Sequence, residues 1–260
     1  MTKRMVNFEL NKIYNCDALE FMKQVPDKSV DMILCDLPYG TTACKWDTVI
    51  PFEPLWEQYK RITKDNSAIV LTASQPFTSQ LVMSNPKMFK YEWIWFKSLA
   101  ANFMNAKNAP LKKHENILVF SKGVIANGSD NKMVYNPQGI TKVNQKWKRP
   151  NRTASEHKYD RPSHTYDRVI EFSGYPESVL LFENPNNNTL HPTQKPVELF
   201  KYLIQTYTNE GDVVLDNCMG SGTTAVACKQ TNRNFYGCEL DPDYVAIANK
   251  RLEKVQGSLF

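Results

Sequence analysis

The 260-residue chain has no apolar run near the ~18 residues that a bilayer crossing takes. Met1-Thr2-Lys3-Arg4 leads into no signal-peptide core, so the expectation is a cytoplasmic protein without membrane contact. Glycine and proline number 10 and 15, too few for collagen-like or low-complexity chains. The six cysteines (Cys16, Cys35, Cys44, Cys218, Cys228, Cys238) form no C-x-x-C pair, and no His stands at zinc-ligand spacing from them. Neither a disulfide framework nor a metal site is expected, and the thiols should be reduced and mostly buried. What remains is 42% apolar and 12% aromatic, a folded chain long enough to bury a full core.

A large excess of charge of one sign is lacking too: 32 Lys+Arg against 27 Asp+Glu leave +5. That surplus has an address. Residues 142–168 hold eight basic and three acidic residues, so the rest of the chain is neutral. Cations there (Lys142, Lys146, Lys148, Arg149, Arg152, Lys158, Arg161, Arg168) alternate with Trp147, His157, Tyr159, His164 and Tyr166. Such a surface suits a phosphate backbone with stackable bases, and a solvated loop is the plainer alternative.

Two regions with α/β alternation flank a different middle. Val30–Asp36 and Ala68–Thr72 read as buried strands, Tyr91–Phe96 and Asn116–Phe120 as further strands, and 54–63 and 77–83 as helices. The C-terminal region reads as helix 196–207, strand Val213–Asp216, helix 223–230, strand Asn234–Glu239 and helix 242–255. Strand–helix–strand at this spacing predicts a parallel sheet with right-handed crossovers. Residues 123–189 hold nine Asn, five Pro and four Gly with little periodicity, as a functional insert or a disordered stretch would.

Strand Val213–Asp216 runs into Asn217-Cys218-Met219-Gly220-Ser221-Gly222-Thr223-Thr224 and then a helix. Glycines turn the backbone tightly, and a helix N-terminus offers unpaired N–H groups. The next strand ends at Glu239, 23 residues after Asp216, where a carboxylate can accept from both ribose hydroxyls. A P-loop would need Lys where Thr223 stands, and a dinucleotide fingerprint would need a third glycine. Asp216 would repel a pyrophosphate but suits a cationic amino acid, which points to S-adenosylmethionine.

The second constellation, Asp36-Leu37-Pro38-Tyr39-Gly40, ends a buried strand, at the edge where open parallel sheets bind ligands. Proline fixes φ and turns Leu37 away from helix. The Leu37 carbonyl and the Asp36 carboxylate can then face one amino group, two acceptors for two hydrogens, with the Tyr39 ring set to stack on a planar base.

With these residues the chain resembles the bacterial and phage DNA amino-methyltransferases, which methylate adenine N6 or cytosine N4. Their acceptor motif, usually Asp-Pro-Pro-Tyr, is matched by Asp36-Leu37-Pro38-Tyr39, with Leu37 as the departure. Acceptor before cofactor motif is the order of their permuted β group. The resemblance also covers Tyr14-Asn15-Cys16-Asp17-Ala18-Leu19, where Asp17 would bond the cofactor's adenine. It extends to His191-Pro192-Thr193-Gln194-Lys195-Pro196, which would pack over its methionine end.

The resemblance implies a Rossmann-like α/β methyltransferase fold with a mostly parallel, seven-stranded-type sheet, helices on both faces, circularly permuted. Residues 1–122 would be the acceptor half, 123–189 the target-recognition insert and 190–260 the cofactor half. Asp36, Leu37, Pro38 and Tyr39 would be catalytic. The cofactor would meet Asp17, Ala18, Asp36, His191, Thr193, Lys195, Asp216, Cys218, Gly220, Ser221, Gly222, Thr223, Glu239 and Leu240. Lys142, Lys146, Lys148, Arg149, Arg152, Lys158 and Arg161 would hold double-stranded DNA whose target base is flipped out. Asp at the motif's first position favours adenine N6; cytosine N4 and a non-catalytic, cofactor-loaded DNA binder are the alternatives. The family also allows a homodimer and a companion restriction endonuclease.

Overall fold

The computed structural model describes residues 9–41, 47–147, 168–185 and 194–257. In chain order these form β1 (Lys12–Asn15), α1 (Ala18–Met22), β2 (Val30–Cys35), α2 (Phe52–Ile62), β3 (Thr63–Ala73), α3 (Phe77–Ser84), β4 (Phe89–Ala101) and β5 (Lys112–Phe120). Then follow β6 (Thr141–Trp147), β7 (Arg168–Ser173), β8 (Val179–Phe182), α4 (Val197–Tyr207), β9 (Val213–Asp216), α5 (Thr223–Gln230), β10 (Asn234–Glu239) and α6 (Pro242–Gly257). Among the described residues no helix is long and apolar enough to cross a membrane.

One sheet runs β1-β10-β9-β2-β3-β5-β4-β8. The first five strands are mutually parallel, β5 is antiparallel to both β3 and β4, and β8 returns parallel to β4. The sheet therefore has eight strands where a seven-stranded type was expected. The extra one, Val179–Phe182, lies in a stretch whose Asn and Pro content masks it, and its Leu180 is buried.

The parallel strands carry unbroken apolar runs because both faces are covered. Side chains alternate between them: Met32 and Leu34 of β2 pack with Leu199, Phe200, Leu203 and Ala225 of α4 and α5. Ile33 and Cys35 pack with Phe21, Leu55, Tyr59, Phe77 and Leu81 of α1, α2 and α3. In α2 the apolar Leu55, Tyr59 and Ile62 share the buried face, at the spacing a helix requires.

From β2 the chain proceeds to β3 on one side, while β9 leads to β10 on the other, so the strand order reverses between β2 and β9. Ligands of open α/β sheets bind outside the strand C-termini at such a switch. Pairing of β2 with β9 extends only from Met32↔Val214 to Ile33↔Leu215. The strand ends beyond it, at Asp36 and Asp216, are not held together by the ladder.

The chain divides into two units, Met1–Asn136 with Ser178–Phe260, and Pro137–Glu177. Within the second, β6 and β7 form an antiparallel ribbon with Lys142↔Phe172 and Lys146↔Val169 in register. Its register shifts between Lys142 and Gln145, where Asn144 takes a left-handed φ of 47°.

Candidate active site

At the switch the first unit encloses a cavity of about 880 Å³. Its lining includes Asp36, Leu37, Pro38 and Tyr39 after β2, Asp216, Cys218, Gly220, Ser221 and Thr223 after β9, and Glu239 and Leu240 after β10. Asp17 and Ala18 line it as well, as does Lys195 just before α4. The two constellations, far apart in sequence, thus face one space.

Asp36 sits inside a dense polar set. The β2–β3 register pairs Cys35 with Leu71, which puts Thr72 beside Asp36, and the Thr72 hydroxyl donates to Asp36 Oδ1. The Tyr39 hydroxyl donates to the same oxygen at 2.8 Å, and Lys195 Nζ donates to Oδ2 at 2.6 Å. Lys195, 6% exposed, also lies 3.4 Å from Glu115 Oε2, and Glu115 in turn pairs with Lys97. Two carboxylates and two ammoniums therefore alternate along one line, Asp36, Lys195, Glu115, Lys97.

Burial pulls the Lys195 ammonium toward neutrality, but the Asp36 and Glu115 charges outweigh it and hold its pKa above the ordinary value. Burial likewise raises Glu115, and Lys195, Lys97 and Lys112 reverse this, leaving it below the carboxylate norm. Lys195 and Glu115 thus favour their charged forms because their neighbours are of opposite sign. The Tyr39 phenol is pushed well up, by burial first and by the charges of Asp36 and Glu115 second, so it remains a donor. Its ring stacks on Phe77, with centroids 5.2 Å apart, and Lys195 Nζ stands 5.8 Å from its centre. Beyond the turn, Asp47 accepts from the Gly40 and Thr41 N–H groups at 2.8 and 2.9 Å.

On the other side, Asp216 accepts from Thr224 Oγ1 at 2.5 Å and from the Cys218 N–H at 3.0 Å. Those bonds favour the carboxylate, but burial at 3% exposure dominates and lifts its pKa to about 7. Glu239 Oε2 accepts from the Gly220 N–H at 2.7 Å, and Oε1 accepts from the Asp241 N–H at 3.0 Å. A carboxylate has about four acceptor sites, so both acids keep capacity for a ligand.

The glycines divide the work. Gly220 turns with φ 51°, while Gly222 (φ 84°) is where α6 comes closest, since a Cβ there would lie 2.8 Å from Ala248 Cβ. Arg251 of α6 donates to Ser221 O at 2.6 Å and to Ser221 Oγ at 2.9 Å, fastening the loop from behind. Asp17 caps α1, its Oδ1 accepting from the Leu19 and Glu20 N–H groups at 2.9 and 3.1 Å.

Lys142 and Lys146 are exposed on β6. His191 and Thr193, and Lys148, Arg149, Arg152, Lys158 and Arg161, lie outside the described residues. Thr72, Lys97, Glu115 and Arg251 join the site without having been singled out in the sequence. Only the Thr72 position left a trace there, as the polar residue ending an apolar strand. Among the described residues no three of His, Cys, Asp or Glu are gathered to hold a metal ion.

The family model described as DNA methylase matches residues 30–250. The type II methyltransferase M1.MboII of Moraxella bovis is 30% identical over 95% of this chain and 98% of its own length. The DNA adenine methyltransferase YhdJ of Escherichia coli K12 is 29% identical over 94% and 83%. Among solved structures, the M1.HpyAVI–SAM complex superposes with a TM-score of 0.61 at 28% identity, covering 93% of this chain and 99% of that one.

Proposed function

This chain belongs to the N6/N4 DNA methylase family, and from that membership we propose that it methylates the exocyclic N6 of adenine in double-stranded DNA, with S-adenosylmethionine as donor. The observation that carries the reading is that the Asp36–Tyr39 turn and the Asp216–Thr224 loop line a single cavity. The order of these segments in the chain reads as the permuted β arrangement.

The residues present fit the donor. Glu239 offers acceptors to a ribose, Asp216 a carboxylate to an ammonium, and the Gly220 to Thr223 backbone a tight turn against α5. Asp17 and Ala18 would close on the adenine, while Cys218, Ser221, Thr223, Leu240 and Gln194 would complete the enclosure. When bound, S-adenosylmethionine supplies a methyl made electrophilic by its sulfonium.

An exocyclic amine is a weak nucleophile because its lone pair is delocalised into the ring. Asp36 and the Leu37 carbonyl would accept its two hydrogens, draw electron density onto nitrogen and fix the lone pair's direction. Asp36 itself is fixed by Thr72, Tyr39 and Lys195, so little reorganisation is left for the reacting complex. Positioning of this kind can be worth ~7–11 kcal/mol, more than one general base provides. Held by an ammonium and two hydroxyls, Asp36 would act mainly as an orienting acceptor, and the surplus proton would leave to water. Tyr39 would hold the base, and Lys142 and Lys146 would meet phosphates.

Incubating the protein with labelled S-adenosylmethionine and DNA, then separating nucleosides, tests the reading. Label in N6-methyl-2′-deoxyadenosine is expected. Label at cytosine N4 would transfer the mechanism to the other amine, and no label in DNA would refute it. Asp36→Ala should abolish transfer while donor affinity changes by less than about threefold. A binder without turnover would register no such difference.

A further inference from the structure

The hairpin between β4 and β5 ends in a tip that the chemistry above leaves unused. From Ser98 to His114 the chain holds three lysines (Lys107, Lys112, Lys113) and no carboxylate. At the tip, Phe103–Asn105 form a single 3₁₀ turn entered through Asn102 at φ 72°. Asn105 donates its N–H to Asn102 O at 3.1 Å and its side-chain amide to Asn102 Oδ1 at 2.8 Å. The Asn108 and Ala109 N–H groups return to Asn105 O at 2.8 and 3.0 Å. This ordered turn presents Leu99, Phe103 and Met104 to solvent at 62%, 64% and 99% exposure. Asn184 braces its base, accepting from the Leu99 N–H at 3.1 Å. Leu99, Ala100 and Phe103 also belong to the lining of the cavity that holds Asp36 and Tyr39.

Three observations define the partner. A cation-rich, carboxylate-free stretch calls for a polyanion. A fixed apolar point among those cations suits a surface that can part to admit it, as a base step does for an inserted Phe, Leu or Met wedge. Its place on the rim of the acceptor cavity puts it where an extruded base would enter. Leaving the stack costs a few kcal/mol, and stacking on one ring such as Tyr39 returns roughly 1–3 kcal/mol, so extrusion needs a second contribution.

We propose that Phe103 and Met104 enter the duplex at the position vacated by the target base, while Lys107 and Lys113 hold the flanking phosphates. The inference rests on the chain being a duplex-DNA methyltransferase, but not on which amine it methylates.

Met104→Ala removes the fully exposed end of the wedge without touching the core or the cavity lining. Methyl transfer is compared on two duplexes of one sequence, one fully paired and one with the target base opposite an abasic site, where extrusion is easier. The variant should lose about tenfold or more on the paired duplex and stay within about threefold of wild type on the other. With 2-aminopurine at the target, the fluorescence rise on binding should shrink only in the paired duplex. Equal losses on both duplexes would overturn the proposal, and so would no loss on either. A wild-type dimer that the variant converts to monomer, with extrusion intact, would assign the tip to a second copy of the chain and refute it. Wild-type protein inactive on both duplexes would refute the methyltransferase reading, and this inference with it.

Discussion

Asp216 makes donor binding a function of pH in a range that is simple to measure. Its carboxyl is buried, and burial holds its pKa at about 7 despite the Thr224 and Cys218 hydrogen bonds that favour the charge. A pKa of about 7 leaves about a tenth of the groups ionised at pH 6 and about half at pH 7. If the donor's ammonium takes the ionised form, affinity should rise about fivefold from pH 6 to 7 and release about three-quarters of a proton at pH 6.5. Above pH ~8 the donor's own amine deprotonates and the profile should turn over. Isothermal titration in buffers of different ionisation heat reads both affinity and protons. Asp216→Asn should bind more weakly with a flat profile, and 5′-methylthioadenosine, which lacks the amino acid, should bind the wild type with no such slope. The same group makes a statement about stability. Its folded pKa lies above the ordinary carboxylate value, so the unfolded chain binds fewer protons between the two. Folding stability should therefore fall as pH rises from about 4 to 7, by roughly 4 kcal/mol at most, a fall that Asp216→Asn lacks. A wild type whose affinity is level from pH 6 to 7, and whose pH–stability curve overlays that of Asp216→Asn, would refute the reasoning.

Two further substitutions probe the acceptor side and the loop. Lys195→Met leaves Asp36 and Glu115 facing each other without their shared cation. It should cost ~3–5 kcal/mol of stability and about a hundredfold in turnover. Lys195→Met/Glu115→Gln should recover stability more than turnover. Urea melts and saturating-donor kinetics separate the two effects, and a tenfold loss of donor affinity with turnover intact would give Lys195 to the cofactor instead. Gly222→Ala must place a Cβ 2.8 Å from Ala248 Cβ at φ 84°. A loss of roughly 2–5 kcal/mol is expected from the urea midpoint at unchanged slope, and a loss under ~0.5 kcal/mol would mean that α6 moves aside freely.

The sequence by itself determined the features with short-range causes. Val213–Asp216 and Asn234–Glu239 were legible as strands because apolar runs between turn residues bury on two faces, and the structure has them with those bounds. The strand-end carboxylates, the proline-fixed turn and the glycine turn were legible because each depends on neighbours within a few residues. β6, β7 and β8 were not: β6 carries no clear alternation, and the short apolar runs of β7 and β8 lie within an Asn- and Pro-rich stretch and become strands by pairing with partners.

What only the tertiary structure decided is who meets whom across the sheet. Lys195 and Asp36 are 159 residues apart, and Lys195 reaches Glu115 only because β5 runs antiparallel beside β3 and β4. Nothing local in Lys97, Glu115 or Arg251 distinguishes them from surface charges. Their roles come from strand register and from helices folding back onto the sheet. Gly222 makes the same point: its neighbours in sequence suggest a ligand loop, while its tightest constraint is a helix that arrives 26 residues later. Turn chemistry and periodicity are set by bonded neighbours. Burial, and with it the charge state of Asp216, exists only once the distant parts of the chain have excluded water from around it.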